Sequence, residues 1–195
     1  MIYIARHGQT DWNLEHRLQG HTDIPLNEKG KNEAVLCSNQ LTSVKLDKII
    51  SSDLSRAKET AHIINSSLSL PIEYDFRLRE IHFGDLQGVK KENISDESWH
   101  SFKYDPAKIH AESFAHLYKR VRSFFDDIDA QTNTLVITHS YVIRMITYLS
   151  HHPHSFDNTE FEKTALQIKT KNTEIFKWDK LHPLQPLNEA FTSEK

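Results

Sequence analysis

The run Thr134-Leu135-Val136-Ile137-Thr138 joins β-branched and aliphatic residues with no polar alternation inside it. A strand of this kind is buried on both faces, which calls for helices on either side of a mostly parallel sheet. Val142 to Leu149 follows at once with the spacing of a buried helix. Shorter runs of similar character stand at Ile2-Tyr3-Ile4-Ala5 and Lys48-Ile49-Ile50-Ser51, and two more strands are predicted over Ala165–Lys171 and Glu174–Trp178. Helical stripes alternate with them. Glu28 to Leu41 sets Ala34, Cys37 and Leu41 on one face, and Ser55 to Leu68 does the same with Ala57, Ala61, Ile64 and Leu68. The longest stripe is Phe114, Leu117, Val121, Phe124, Phe125 and Ile128. This alternation predicts an α/β fold, a three-layer sandwich with a mostly parallel central sheet flanked by helices.

The 195 residues suit one domain spanning 1–195. Within it Val89 to Ala111 is polar and weakly periodic, and reads as an insertion or lid over one end of the sheet. Residues 180–195 read as a tail. A net charge of −3 argues against a nucleic-acid partner. The single Cys37 excludes an internal disulfide framework and a cysteine-based zinc site. No apolar run approaches the roughly 18 residues of a membrane span, and the opening MIYIARHG lacks the marks of a secretory leader. A soluble, cytoplasmic protein without membrane or nucleic-acid partners is therefore expected. Nothing in the sequence specifies an oligomeric state.

In an open α/β sheet, ligands bind beyond the carboxyl ends of the strands. The first strand runs into Arg6-His7-Gly8, the second into Ser51-Ser52-Asp53-Leu54-Ser55-Arg56, and the strongest into Thr138-His139-Ser140. The last two open helices, whose free N–H groups and dipole attract anions. Two arginines and two histidines thus gather from three segments at one edge, a pattern suited to phosphate. Each has an ordinary reading as a surface or paired side chain; their joint placement is the signal.

Arg6-His7-Gly8-Gln9-Thr10, continuing to Asn13, resembles the RHGxTxxN signature of the histidine phosphatase superfamily, in its phosphoglycerate mutase-like branch. Further blocks resemble that family in order and spacing. They are Gly20 to Leu26 with Gly30 and Ala34, Ser51 to Ala57 with Thr60-Ala61, Leu78-Arg79-Glu80 with Phe83-Gly84 and Gly88, Glu112-Ser113 with Arg120-Val121, and Val136 to Arg144. The resemblance implies His7 as the phosphoryl-accepting nucleophile and Glu80 as proton donor to the leaving oxygen. It implies Arg6, Asn13, Arg56 and His139 as phosphate ligands, with Gln19, Gly20 and Ser140 touching substrate. It calls for no cofactor and no metal, and for a small phosphorylated substrate. The chemistry agrees: a neutral histidine can carry a covalent intermediate, nearby arginines favour the neutral ring, and their planar forks fit phosphate oxygens.

Two positions depart from the usual family pattern. Ala111 precedes Glu112-Ser113, and Ser140 follows His139, where glycine is common. Both leave the reacting groups intact and bear on specificity. The five glycines all lie in the first 88 residues. Gly8 reads as allowing close approach to phosphate, Gly20, Gly84 and Gly88 as active-site loop positions, and Gly30 as structural. Phe83, Trp99, His100, Phe102 and Tyr104 are candidate walls of a leaving-group pocket. A phosphatase is favoured over a phosphoglycerate mutase because Glu80-Ile81-His82-Phe83-Gly84 and the short insertion, with only Lys90, Lys91, Lys103 and Lys108, differ from glycolytic members. Two other readings stand beside it: a catalytically weak protein that binds phospho-ligands, and a metal-dependent hydrolase using His151, His152, His154 and Asp157.

Overall fold

The protein is described from a computed structural model covering residues 1–129, 131–178 and 185–187. β1 (Ile2–Arg6) leads through the one-turn α1 (Asp11–Leu14) to α2 (Glu28–Leu41). β2 (Lys48–Ser51), α3 (Ser55–Asn65) and β3 (Ile72–Tyr74) follow. α4 (Asp96–Tyr104) and α5 (Phe114–Asp127) precede β4 (Thr134–Thr138) and α6 (Ser140–His151). α7 (Asn158–Thr164), β5 (Ile175–Trp178) and the short β6 (Gln185–Pro186) complete the described chain.

The strands form one sheet in the order β3-β2-β4-β1-β5-β6. β3, β2, β4 and β1 run parallel, whereas β5 and β6 are antiparallel to their neighbours. Alternation along each strand divides the core. Ala5, Ile49, Leu135, Ile137 and Ile175 pack with Cys37 and Leu41 of α2 and Ala57, Ala61 and Ile64 of α3. Ile4, Ile50, Val136, Phe176 and Trp178 face the opposite way, toward the aromatic and aliphatic stripe of α5 and the buried face of α6. All five residues of β4 are buried, as a strand covered by helices on both faces must be.

Several boundaries differ from the sequence reading. α3 stops at Asn65 rather than Leu68 because the Asn65 amide closes a loop, accepting from Leu70 N at 2.7 Å and donating to Leu70 O at 2.9 Å. Ala165–Lys171 forms no strand: α7 ends in a turn there, and the carbonyls of Ile168 and Thr170 accept from arginine side chains instead of a ladder. The polar stretch 89–111 holds α4, capped by Ser95, with Trp99 and Phe102 turned inward. Of the expected 180–195 tail, only 185–187 lies within the described residues. Among the described residues no helix is long and apolar enough to cross a membrane.

Candidate active site

Register brings the strand ends into line. Arg6 pairs with Thr138 across β1 and β4, and Ser51 pairs with Ile137 across β2 and β4. The next residues, His7, His139 and Ser52, therefore stand side by side at the carboxyl edge. His7 N donates to Thr138 O at 2.9 Å and Ser52 N to Ile137 O at 2.9 Å, so these first loop residues continue the ladder. The His7 and His139 rings lie 5.0 Å apart between centroids, and His139 Nε2 is 2.9 Å from Ser52 Oγ.

His7 Nδ1 lies 2.7 Å from the Gly8 carbonyl oxygen. A carbonyl can only accept, so Nδ1 carries the proton and Nε2 keeps a lone pair. Burial first, then the charges of Arg56 and Arg6, push the His7 ring well below the usual histidine value. His139 is depressed in the same way by burial and Arg56. Both rings are neutral near physiological pH.

The arginines are fixed by backbone carbonyls. Arg6 donates to Thr170 O at 2.7 Å, while the fully buried Arg56 donates to Gly20 O at 2.7 Å and Thr22 O at 3.0 Å. Burial, reinforced by Arg6, lowers Arg56 to about 10, so it remains charged. Arg6 Nε, Arg56 Nε, His139 Nδ1 and Gln19 Oε1 are buried polar atoms without a partner among the described residues. Such groups are costly unless something meets them, and here they cluster at one site.

Glu80 is buried as well. Its Oε1 accepts from Ile81 N at 3.1 Å and Tyr141 N at 3.0 Å, leaving Oε2 as the less committed oxygen. Its carbonyl receives His21 Nε2 at 2.7 Å and Arg120 at 3.1 Å. Arg120 also grips Glu112 at 2.7 Å and Arg77 O at 2.6 Å, and Glu112 accepts from His82 N at 3.2 Å. The segment bearing Glu80 is thus clamped by Glu112, just before α5, and by Arg120 in the middle of it. Beyond it Gly84, at φ +58°, fits tightly against Ile109 O, where any side chain would collide.

These groups line a cavity of about 390 Å³. Of the expected site residues, Arg6, His7, Asn13, Gln19, Arg56, Glu80 and Ser140 are on its wall. Gly20 and His139 are not: Gly20 acts through the carbonyl that holds Arg56, and His139 packs beside His7. Asn13 caps α1 with Oδ1, accepting from Thr10 N at 3.1 Å, so its NH₂ is what it offers the cavity. Phe83 and Trp99 form walls as expected. Phe102 lies behind Phe83 at 5.1 Å, while His100 and Tyr104 pack on each other away from the cavity. Gly8 serves close packing: a Cβ there would overlap the Gly30 carbonyl oxygen. Ala111 needs no left-handed backbone, which falls instead on His110 at φ 54°. Sequence reasoning gave no role to Arg17, Arg144, Lys169 or Thr170, all of which line the cavity. Arg144, four residues after Ser140 and so on the same helical face, carried a readable signal.

The family model of the histidine phosphatase superfamily (branch 1) matches residues 2–180. The chain belongs to this superfamily. The probable phosphoglycerate mutase GpmB of Salmonella typhi is 42% identical over 96 residues, covering 49% of this chain and 45% of that protein. The chain thus matches less than half the length of this relative. A phosphoglycerate mutase from Thermus thermophilus superposes with a TM-score of 0.70 at 25% identity, over 94% of this chain and 95% of that one. Bacillus stearothermophilus YhfR does so with a TM-score of 0.73 at 28% identity, over 95% and 94%. Histidine phosphatase superfamily members are enzymes, and the phosphoglycerate mutase-like fold is common to these neighbours. Among the described residues no three His, Cys, Asp or Glu side chains group as a metal site. His151 instead bonds Thr147 O at 2.9 Å, and His152 stacks on Tyr148.

Proposed function

We propose that the chain is a phosphatase that hydrolyses small phosphate monoesters through a phosphohistidine on His7. The observation that carries this reading is the His7 ring itself: its Nδ1 is tied to the Gly8 carbonyl, and it lines one cavity with Arg6, Arg56 and Glu80. His7 Nε2 attacks phosphorus as the bond to the leaving oxygen breaks. The proton on Glu80 Oε2 passes to that oxygen, releasing an alcohol. Water then attacks phospho-His7 and gives its proton to Glu80, freeing inorganic phosphate and restoring the ring. Arg6, Arg56, Asn13 and His139 stabilise the charge on the phosphoryl oxygens, and positioning of this kind supplies most of the catalysis of phosphoryl transfer. Gln19 and Ser140 contact the substrate, and Gly20 supports them through Arg56.

The names of the Salmonella and Thermus proteins favour a second reading, a phosphoglycerate mutase that returns the phosphoryl group to an acceptor. The insertion supports the phosphatase. Its Lys103 and Lys108 are paired with Glu162 and Glu97, so of its four lysines only Lys91 lines the cavity.

The test is release of inorganic phosphate from a panel of monoesters by wild type and His7→Ala. Wild-type turnover, lost by about 10³-fold or more in the variant, and labelled phosphate trapped in acid-labile form on His7 are expected. Equal rates in the two proteins would sink the nucleophile role of His7, and no release by either would leave only phospho-ligand binding. Transfer between phosphoglycerate positions without free phosphate would establish the mutase.

A further inference from the structure

Ser52 stands one residue beyond β2, fully buried, and nothing in the mechanism above uses it. Its backbone is tied at both ends: Ser52 N donates to Ile137 O at 2.9 Å, and Ser52 O accepts from Ser51 Oγ at 2.9 Å. Its hydroxyl, set by that backbone, meets His139 Nε2 at 2.9 Å. The ring is held as firmly. His139 lies between β4 and α6, fully buried, and its carbonyl accepts from Ile143 N at 3.0 Å.

A neutral imidazole carries one ring proton, so the role of either nitrogen determines that of the other. Ser52 Oγ has one hydrogen to give and, among the described residues, one acceptor to receive it, His139 Nε2. Its other contact is a donor, Leu54 N at 3.4 Å. Were the proton on Nε2, two donors would converge on the hydroxyl oxygen and the hydroxyl hydrogen would be buried with nothing to accept it, a costly arrangement. With Ser52 as donor, its hydrogen and a lone pair are both used.

The ring proton then lies on Nδ1, which is buried without a partner among the described residues. Arg6 Nε and Arg56 Nε are buried donors in the same condition. His7 shares its cavity with both arginines and lies 5.0 Å from the His139 ring between centroids. A third unmet N–H at this place suits an oxyanion, whereas a bare Nδ1 lone pair would repel one.

We propose that Ser52 is a positioning residue that holds the His139 proton on Nδ1, so that the ring presents an N–H rather than a lone pair to a phosphoryl oxygen. This deepens the phosphatase reading and rests on it, but its test does not depend on turnover.

Long-range proton–nitrogen NMR spectra of the histidine side chains distinguish the two neutral tautomers, and the His139 signal is assigned by its loss in His139→Asn. Wild type should show His139 protonated on Nδ1; a proton on Nε2 overturns the proposal. In Ser52→Ala the signal should shift to the other tautomer or to a mixture, and calorimetry should find inorganic phosphate bound about tenfold or more weakly. The His7 pattern, held by the Gly8 carbonyl, should stay as it was, which a general collapse of the site would not allow. A Ser52→Ala protein that keeps either the wild-type tautomer or the wild-type phosphate affinity also overturns the proposal. The expected tautomer and its loss in Ser52→Ala, in a chain that releases no phosphate from any monoester, would refute the phosphatase reading and leave the role of Ser52 standing.

Discussion

Glu80 and the buried histidines fix the behaviour expected of single residues. In Glu80→Gln the amide oxygen can still accept from Ile81 N and Tyr141 N, but the acidic proton is gone. The kcat for substrates with poor leaving groups should fall by about 10² to 10⁴, with KM little changed; a loss confined to KM would assign Glu80 to binding instead. The histidines set a stability window. Burial, chiefly, lowers His21 to about 4 and holds His7 and His139 well below 6.5. The unfolded chain titrates near 6.5, so between these values it binds protons that the native state refuses. Stability present above about pH 6.5 is then lost progressively as pH falls toward 4. Urea midpoints should decline from pH 7 to 5, and less steeply in His21→Gln; a flat profile would contradict the buried neutral rings. Arg6, His7, Arg56 and His139, proposed for phosphate chemistry, were legible because they stand at or just beyond strand ends next to their own signatures. Lys169 and Thr170 were not, because they reach the cavity through a loop without period, whereas Arg144 shares a face of α6 with Ser140.

At the scale of elements, the loop after β1 and the first turn of α2 are pressed together at Gly8 and Gly30. A Cβ on Gly30 would overlap the Gln9 carbonyl oxygen, and both partners are backbone. Gly30→Ala should therefore cost about 1–3 kcal/mol, lowering Tm by roughly 2–4 °C per kcal/mol for a chain of this size, and should also disturb His7 two residues before Gln9. A variant as stable as wild type would show that the loop can move aside. The strong periods of β4, α2, α5 and α6 were readable directly, since each buries one face or both. The three-residue β3 and the helices α4 and α7 were missed for the opposite reason. They are short, largely exposed and begun by caps at Ser95 and Asp157 rather than by an apolar stripe. The same limit explains the mistaken strand at Ala165–Lys171. Its residues alternate like a strand, but its carbonyls are taken by Arg6 and Arg144.

For the molecule as a whole, the proposed mechanism draws every charge from side chains and predicts that phosphate release persists in EDTA. Abolition by EDTA with recovery on adding a divalent ion would instead favour a metal-dependent hydrolase. The position of β1 in the sheet has a further consequence, for synthesis. β1 pairs on one side with residues 134–138 and on the other with 175–178, so during synthesis β1 has neither neighbour until residues 134–138 have been made. At ordinary elongation rates that interval is on the order of 7–26 s, during which Ile2 and Ile4 have no sheet to enter. Pairings so distant in sequence also favour slow folding. A ribosome halted after Ser140 would already have made every residue expected of the phosphate site, yet Arg6 would lack Thr170 to hold it. The proposed nucleophile is made more than 160 residues before the loop at Thr170 that holds its neighbour Arg6.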